Sequence, residues 1–186
     1  MSFWSKKKPA RTPQELKSVA TAMAAELVNE GFPESGNYFK TVYADSPQLL
    51  AEGLAALQLE ELYFLLYLLF RAAREKLGPD AGADFMQFLF EQTCGRWSRI
   101  QATSPAEAVA FSQLFEMGCS ERQRQYARCR LPSGTDLKDS VFWEYAKTLT
   151  SRVKDPNPER VGRLALHGSH MFDFAIKALD KALGGA

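Results

Sequence analysis

A chain of 186 residues suits one domain and can bury roughly 70% of its unfolded surface without a disulfide or a metal. Its 23 Lys and Arg against 22 Asp and Glu leave a formal charge of +1, which excludes a global field that would recruit nucleic acid or an anionic membrane. Cys94, Cys119 and Cys129 are odd in number and lack CxxC spacing, so neither a disulfide framework nor a zinc site is expected, and reduced thiols in a cytoplasmic protein are.

Residues 1–11 form a tail that pairs Phe3 and Trp4 with Lys6, Lys7 and Lys8. Its expected role is at most weak membrane-surface contact, because so few basic residues bind weakly. Residues 12–186 are expected to make one helical-bundle domain. Thr12-Pro13-Gln14-Glu15 reads as a capping box with proline at the first helical position. Leu16, Val19, Ala20, Met23 and Leu27 follow at helical spacing, and Gly31 with Pro33 signals a stop. Phe32 to Asp45 reads as an ordered connector, carrying Phe39, Val42 and Tyr43 onto the bundle.

Ser46-Pro47 starts the next helix, and the pattern leaves open whether it breaks near Gln58. From Leu62 to Phe70 the chain reads Leu-Tyr-Phe-Leu-Leu-Tyr-Leu-Leu-Phe, apolar on every side. Such a helix is either buried or in a membrane. The run is too short to span, which takes about 20 apolar residues, so residues 59–77 are expected to be the bundle's central helix.

Gly78-Pro79 ends it. A further helix puts Phe85, Met86, Leu89, Phe90, Thr93, Trp97 and Ile100 on one face, and Ser104-Pro105-Ala106-Glu107 caps another that runs to about Leu131. Pro132-Ser133-Gly134 is a turn. The last two helices carry Val141, Phe142, Tyr145, Leu149 and Val153, then Val161, Leu164, Gly168, Phe172, Ala175, Ile176 and Leu179. No segment alternates as a strand does, so the fold class is all-α, a bundle of about six or seven helices.

Catalytic signatures are missing: there is no Gly-rich phosphate loop, GxSxG elbow, HExxH or di-iron Glu-x-x-His pair. The balance therefore tilts away from an enzyme, and no cofactor is expected. His167 and His170 are spaced to share one side of a helix, opposite its apolar stripe and beside Arg163, Lys177 and Lys181. That positive company opposes a cation. With Phe174 on the same outer face, they look like a contact patch, and Trp143 is a further aromatic of this kind. A metal-dependent enzyme built on His167 and His170 is the weakest of the three functional expectations.

Arg122, Arg124, Arg128 and Arg130 with Tyr126 could suggest RNA, but on a helix they split to different sides, as solvated arginines do. Arg122 is different, since it falls in the middle of the stripe Phe111, Phe115, Cys119, Tyr126 and Cys129. A buried arginine needs a partner. Glu61, Asp84, Glu91 and Asp173 are candidates, or the side chain holds an anionic ligand in a pocket with Tyr63, Tyr67, Phe88 and Tyr126. The leading expectation is a non-enzymatic protein-interaction or accessory protein that binds a partner or its own copies. A small-ligand binder with its pocket near Arg122 is second.

Overall fold

The computed structural model describes residues 11–132 and 136–184. The expectations for Phe3, Trp4, Lys6, Lys7 and Lys8, and for Ser133 and Gly134, lie outside those residues. Within them the fold is all-α: α1 (Pro13–Glu26), a π-turn (Leu27–Gly31), α2 (Phe32–Val42), α3 (Pro47–Leu77), α4 (Pro79–Gln101), α5 (Pro105–Tyr126), α6 (Val141–Arg152) and α7 (Pro158–Ala182). The described residues contain no strand, only an isolated bridge between Arg130 and Ser140.

The start signals act as their chemistry predicts. The Thr12 hydroxyl accepts from the Glu15 amide at 3.3 Å while the Glu15 carboxylate accepts from the Thr12 amide at 2.7 Å. At α5, Ser104 accepts from the Glu107 amide, but Glu107 reaches one residue further back, to the Thr103 amide at 2.7 Å. Ser46 departs from expectation. It makes no cap to α3, and its hydroxyl donates to Asp45 instead.

The stop signal at Gly31 and Pro33 is overturned, and so is the connector that was to follow it. Helical backbone runs from Pro13 to Val42 without a break. A proline inside a helix lacks an amide hydrogen and crowds the carbonyl four residues back. The wide π-turn opens the backbone just ahead of it, which leaves Pro33 in the first turn of α2 where the missing hydrogen costs nothing. Two faces result, α1 packing on α4 and α2 packing on α3.

α3 is one helix of 31 residues, so the expected segment 59–77 is its C-terminal part. Every residue from Leu62 to Leu69 is buried, and α3 packs against α2, α4, α5, α6 and α7. Full-length α3 is long and apolar enough to cross a membrane by composition, which the shorter segment was not expected to be. Its most apolar window is 56% buried inside the fold, as the core helix of a bundle is. Gly78, at φ 85°, reverses the chain into α4. At Gly82 an added Cβ would meet the Arg74 backbone at 2.9 Å, so glycine is what lets α3 and α4 approach there.

One helix end and one core position differ from the pattern. α5 stops at Tyr126, short of Leu131, and Arg130 leaves the helix to donate to the Lys138 carbonyl at 2.7 Å. Ile100, expected on the inner face of α4, is 60% exposed, because it lies in the last turn beyond the packed length of the helix.

Candidate functional site

α3 presents two successive carboxylates to different neighbours, about 100° apart around its axis, and two polar clusters of the fold form on them. Glu60 points at α5 and α6. Its two oxygens take a bidentate clamp from Arg122, at 2.5 Å from Nε and 2.9 Å from Nη2, and Arg152 adds a contact of 2.6 Å. Arg122 is thus paired inside the fold, but with Glu60 and not with Glu61, Asp84, Glu91 or Asp173. In the sequence Glu60 simply precedes the apolar run 62–70. In the fold it is the buried anion that the central helix carries inward. Its hydrogen bonds raise the Arg122 pKa above the ordinary arginine value.

The clamp continues outward. Arg122 Nη1 donates to Gln125 Oε1 at 2.9 Å, and Gln125 Nε2 donates to Glu144 at 2.8 Å and to Thr148 Oγ1 at 3.0 Å. Each strong donor has an acceptor, so the network is closed and structural. Arg160 makes a second clamp that sequence reasoning missed. It bridges Asp155 at 2.7 Å and Asp45 at 2.5 Å, with the Tyr43 ring 4.3 Å from its guanidinium carbon. The signal was the same as for Arg122, since Arg160 begins the stripe that continues at Leu164, Gly168 and Met171.

The tyrosines expected around Arg122 do not form a ligand pocket with it. Tyr63, Tyr67 and Tyr126 are buried. The Tyr63 ring packs on Phe115 at 5.2 Å, and Tyr67 donates to the Tyr126 carbonyl at 3.1 Å. Burial raises the pKa of both Tyr63 and Tyr126, so both are neutral core side chains. Phe88 faces α1, with the Lys17 ammonium 6.0 Å from its ring.

Glu61 points toward α2 and α7, into a cavity of about 320 Å³. His167, His170 and Phe174 all line it, so the structure brings these three together at a cleft, with His170 and Phe174 still exposed at its mouth. The helical projection put His167 outside because it did not include α2. Tyr38 of α2 stacks on the His167 ring with centroids 3.7 Å apart, while His170 stays exposed. Trp143 is not part of this group; it is partly buried against the core. Glu61 accepts from the Tyr145 hydroxyl at 3.4 Å and lies 3.4 Å from His167 Nε2. Its charge is felt in the cleft: burial, then Glu61, push the Tyr38 pKa up to about 12. Among the described residues no group of three or more His, Cys, Asp or Glu is placed to hold a metal.

A larger groove, of about 1120 Å³, runs between α3, α4, α5 and α7. Leu66, Phe70, Met86, Phe90, Phe172 and Ile176 make its apolar floor, and Arg71, Arg74, Lys76 and Arg124 line its edge with Glu75. Nothing in the sequence pattern pointed to it, because it draws on four helices that are distant along the chain. No family model, curated protein or solved structure matches this chain.

Proposed function

We propose that this chain is a non-enzymatic accessory protein that binds another protein, receiving an acidic, amphipathic helix in the groove between α3, α4, α5 and α7. The observation that supports this is the pairing of an apolar floor with a cationic edge. Lys76 is answered within the fold by Asp180 at 2.6 Å. Arg71 donates to the Tyr67 hydroxyl at 2.9 Å, Arg74 lies over the Phe70 ring and Arg124 donates to the Ser120 carbonyl. None of these three arginines is neutralised by those contacts, and among the described residues Glu75 is the lone carboxylate lining the groove. An amphipathic helix fills such a groove with apolar anchors at successive turns, and carboxylates along its flanks would meet the three guanidinium groups.

A photo-reactive amino acid at Phe90, followed by identification of the captured peptide, tests the proposal. The expected product is a discrete adduct with an acidic amphipathic segment, lost when Arg71→Glu and Arg124→Glu are combined. Capture of a basic segment or of a lipid, or an adduct indifferent to the charge reversal, sinks it.

A second observation favours self-association by another surface. On the side of α5 away from Phe115 and Cys119, Val109, Leu114 and Met117 are each more than half exposed. Light scattering on the wild type and on Leu114→Glu would show a mass above 20.8 kDa that falls to it in the variant. An unchanged monomer in both rules this reading out.

A further inference from the structure

We propose that the cleft between α2, α3 and α7 is a binding site for a small organic cation, an amine attached to an apolar body, with Glu61 receiving the ammonium. This site is separate from the protein-binding groove and rests on different observations.

The first is unmet hydrogen bonding. Among the described residues the buried hydroxyl of Ser35, whose residue is 6% exposed, has no partner, and Nε2 of His167 has nothing nearer than Glu61 at 3.4 Å. Buried hydroxyls are almost always hydrogen-bonded, so an orphan hydroxyl lining this cavity marks the place where a ligand's polar group fits. Glu61 is also short of donors. Its contacts to Tyr145 and His167 are both 3.4 Å, against 2.5 to 2.9 Å for the Arg122 clamp on Glu60. A carboxylate oxygen accepts more than one hydrogen bond, so Glu61 has acceptor capacity to spare.

The second observation is the sign of the charge. Glu34 and Glu61 line the cleft, and an adjoining pocket of about 230 Å³ adds Glu26 and Glu30. Among the described residues no lysine or arginine lines either one. That is the opposite of the groove on α4 and α5, and it selects a cation. The third observation is shape. Leu62, Leu65 and Met171 make an apolar wall, Phe174 stands at the junction of the two pockets, and the Tyr38 ring faces the same space. The volume lies near the low end of small-molecule sites, about 300–1,000 Å³, so the body is about the size of one ring. Aromatic faces beside an ammonium add cation–π attraction. The π-turn borders the cleft through Leu27 and Gly31, and π-turns occur often at functional sites.

In the full chain labelled at the methionine methyls, phenethylamine should shift the Met171 signal saturably. Phenethyl alcohol, the neutral match, should bind at least about tenfold more weakly, because it cannot pair with the carboxylate. Phenylacetate should not bind. Glu61→Gln should remove the preference for the amine, and Ser35→Ala should weaken it severalfold. Phe174 is 52% exposed, so Phe174→Ala keeps the fold and should also weaken binding. Equal affinity for amine and alcohol, tighter binding of phenylacetate, or an amine shift untouched by both Ser35→Ala and Phe174→Ala would overturn the proposal.

Discussion

Glu60 and Glu61 are neighbours on the same helix, yet they live in opposite electrostatic worlds. Glu60 is met by Arg122 and Arg152, and behind Arg122 stand Gln125, Glu144 and Thr148, all within hydrogen-bond distance of one another. Glu61 has a tyrosine hydroxyl and an imidazole, both at 3.4 Å, and no guanidinium. The difference teaches where to look for function in a bundle without motifs. A buried carboxylate with a full set of donors holds the fold together, whereas one left short is available to something from outside.

The sharpest way to break the comparison is a carboxylate with no partner at all. Leu66 is 1% exposed, and Leu66→Asp should unfold the protein. Truncation alone there costs about 2–5 kcal/mol, and an unpaired charge adds to that. A soluble, cooperative thermal transition in this variant would mean the interior tolerates bare carboxylates, and the contrast would lose its force. Next in size is the clamp itself. Arg122→Met should destabilise by about 3 kcal/mol, the low end for a stranded buried charge, because Arg152 still reaches Glu60. That arginine's side chain is 47% exposed, so solvent screens its contribution. Glu60→Gln strands Arg122 in turn and should cost a similar amount by chemical denaturation.

Glu61→Gln sharpens the contrast from the other side. It should change stability by less than about 1 kcal/mol, since it removes no strong hydrogen bond, and a loss matching that of Glu60→Gln would put both carboxylates in the same class. Smaller still is the histidine pair. His167→Ala loses the stack on Tyr38 and should cost about 1 kcal/mol, while His170→Ala should leave the melting temperature unchanged. Equal effects would mean that α2 does not cover His167.

The smallest effect belongs to exposed carboxylates that are well supplied with donors. Hydrogen bonds from the Thr12 backbone and side chain lower the pKa of Glu15, and those from the Thr103 side chain and backbone lower that of Glu107, below the ordinary 4.5. A depressed folded-state pKa stabilises the fold above the unfolded value, and that support is lost as pH falls through the folded one. Melting temperature should therefore decline as the solution is acidified below 4.5, and less steeply once Glu15→Gln and Glu107→Gln are combined. An identical decline would assign acid sensitivity to other groups.

Much of the bundle was legible because burial repeats along a helix. The stripe through Phe115, Cys119 and Tyr126 placed Arg122 inside, and the need of a buried guanidinium for an anion followed. Its partner was not legible, since Glu60 and Arg122 are 62 positions apart and nothing local records which carboxylate α3 turns toward α5. Arg160 carried the same signal as Arg122, and counting it as the first residue of the α7 stripe would have exposed it. The cleft was missed for one reason. Gly31, Pro33 and Gly36 are local breakers, and propensity cannot foresee that a widened turn makes room for a proline. Without α2 as a helix, His167 has nothing to stack on and Glu61 has no cavity to face.

The π-turn also sets the phase of everything after it. Relative to an α-helix, a π-turn holds one extra residue, and each residue of an α-helix advances the chain by about 100°. The wider turn takes up that residue within a single turn, so α2 keeps the phase of a helix one residue shorter. Wound as ordinary α-helix, the same residues would turn α2 by about 100° about its own axis. Ser35 and Tyr38 would then swing off the cleft together, while α1 kept its seat on α4. The widened turn thus holds the α2 wall of the cleft in register, and deleting one residue between Leu27 and Gly31 should leave Ser35 and Tyr38 facing it.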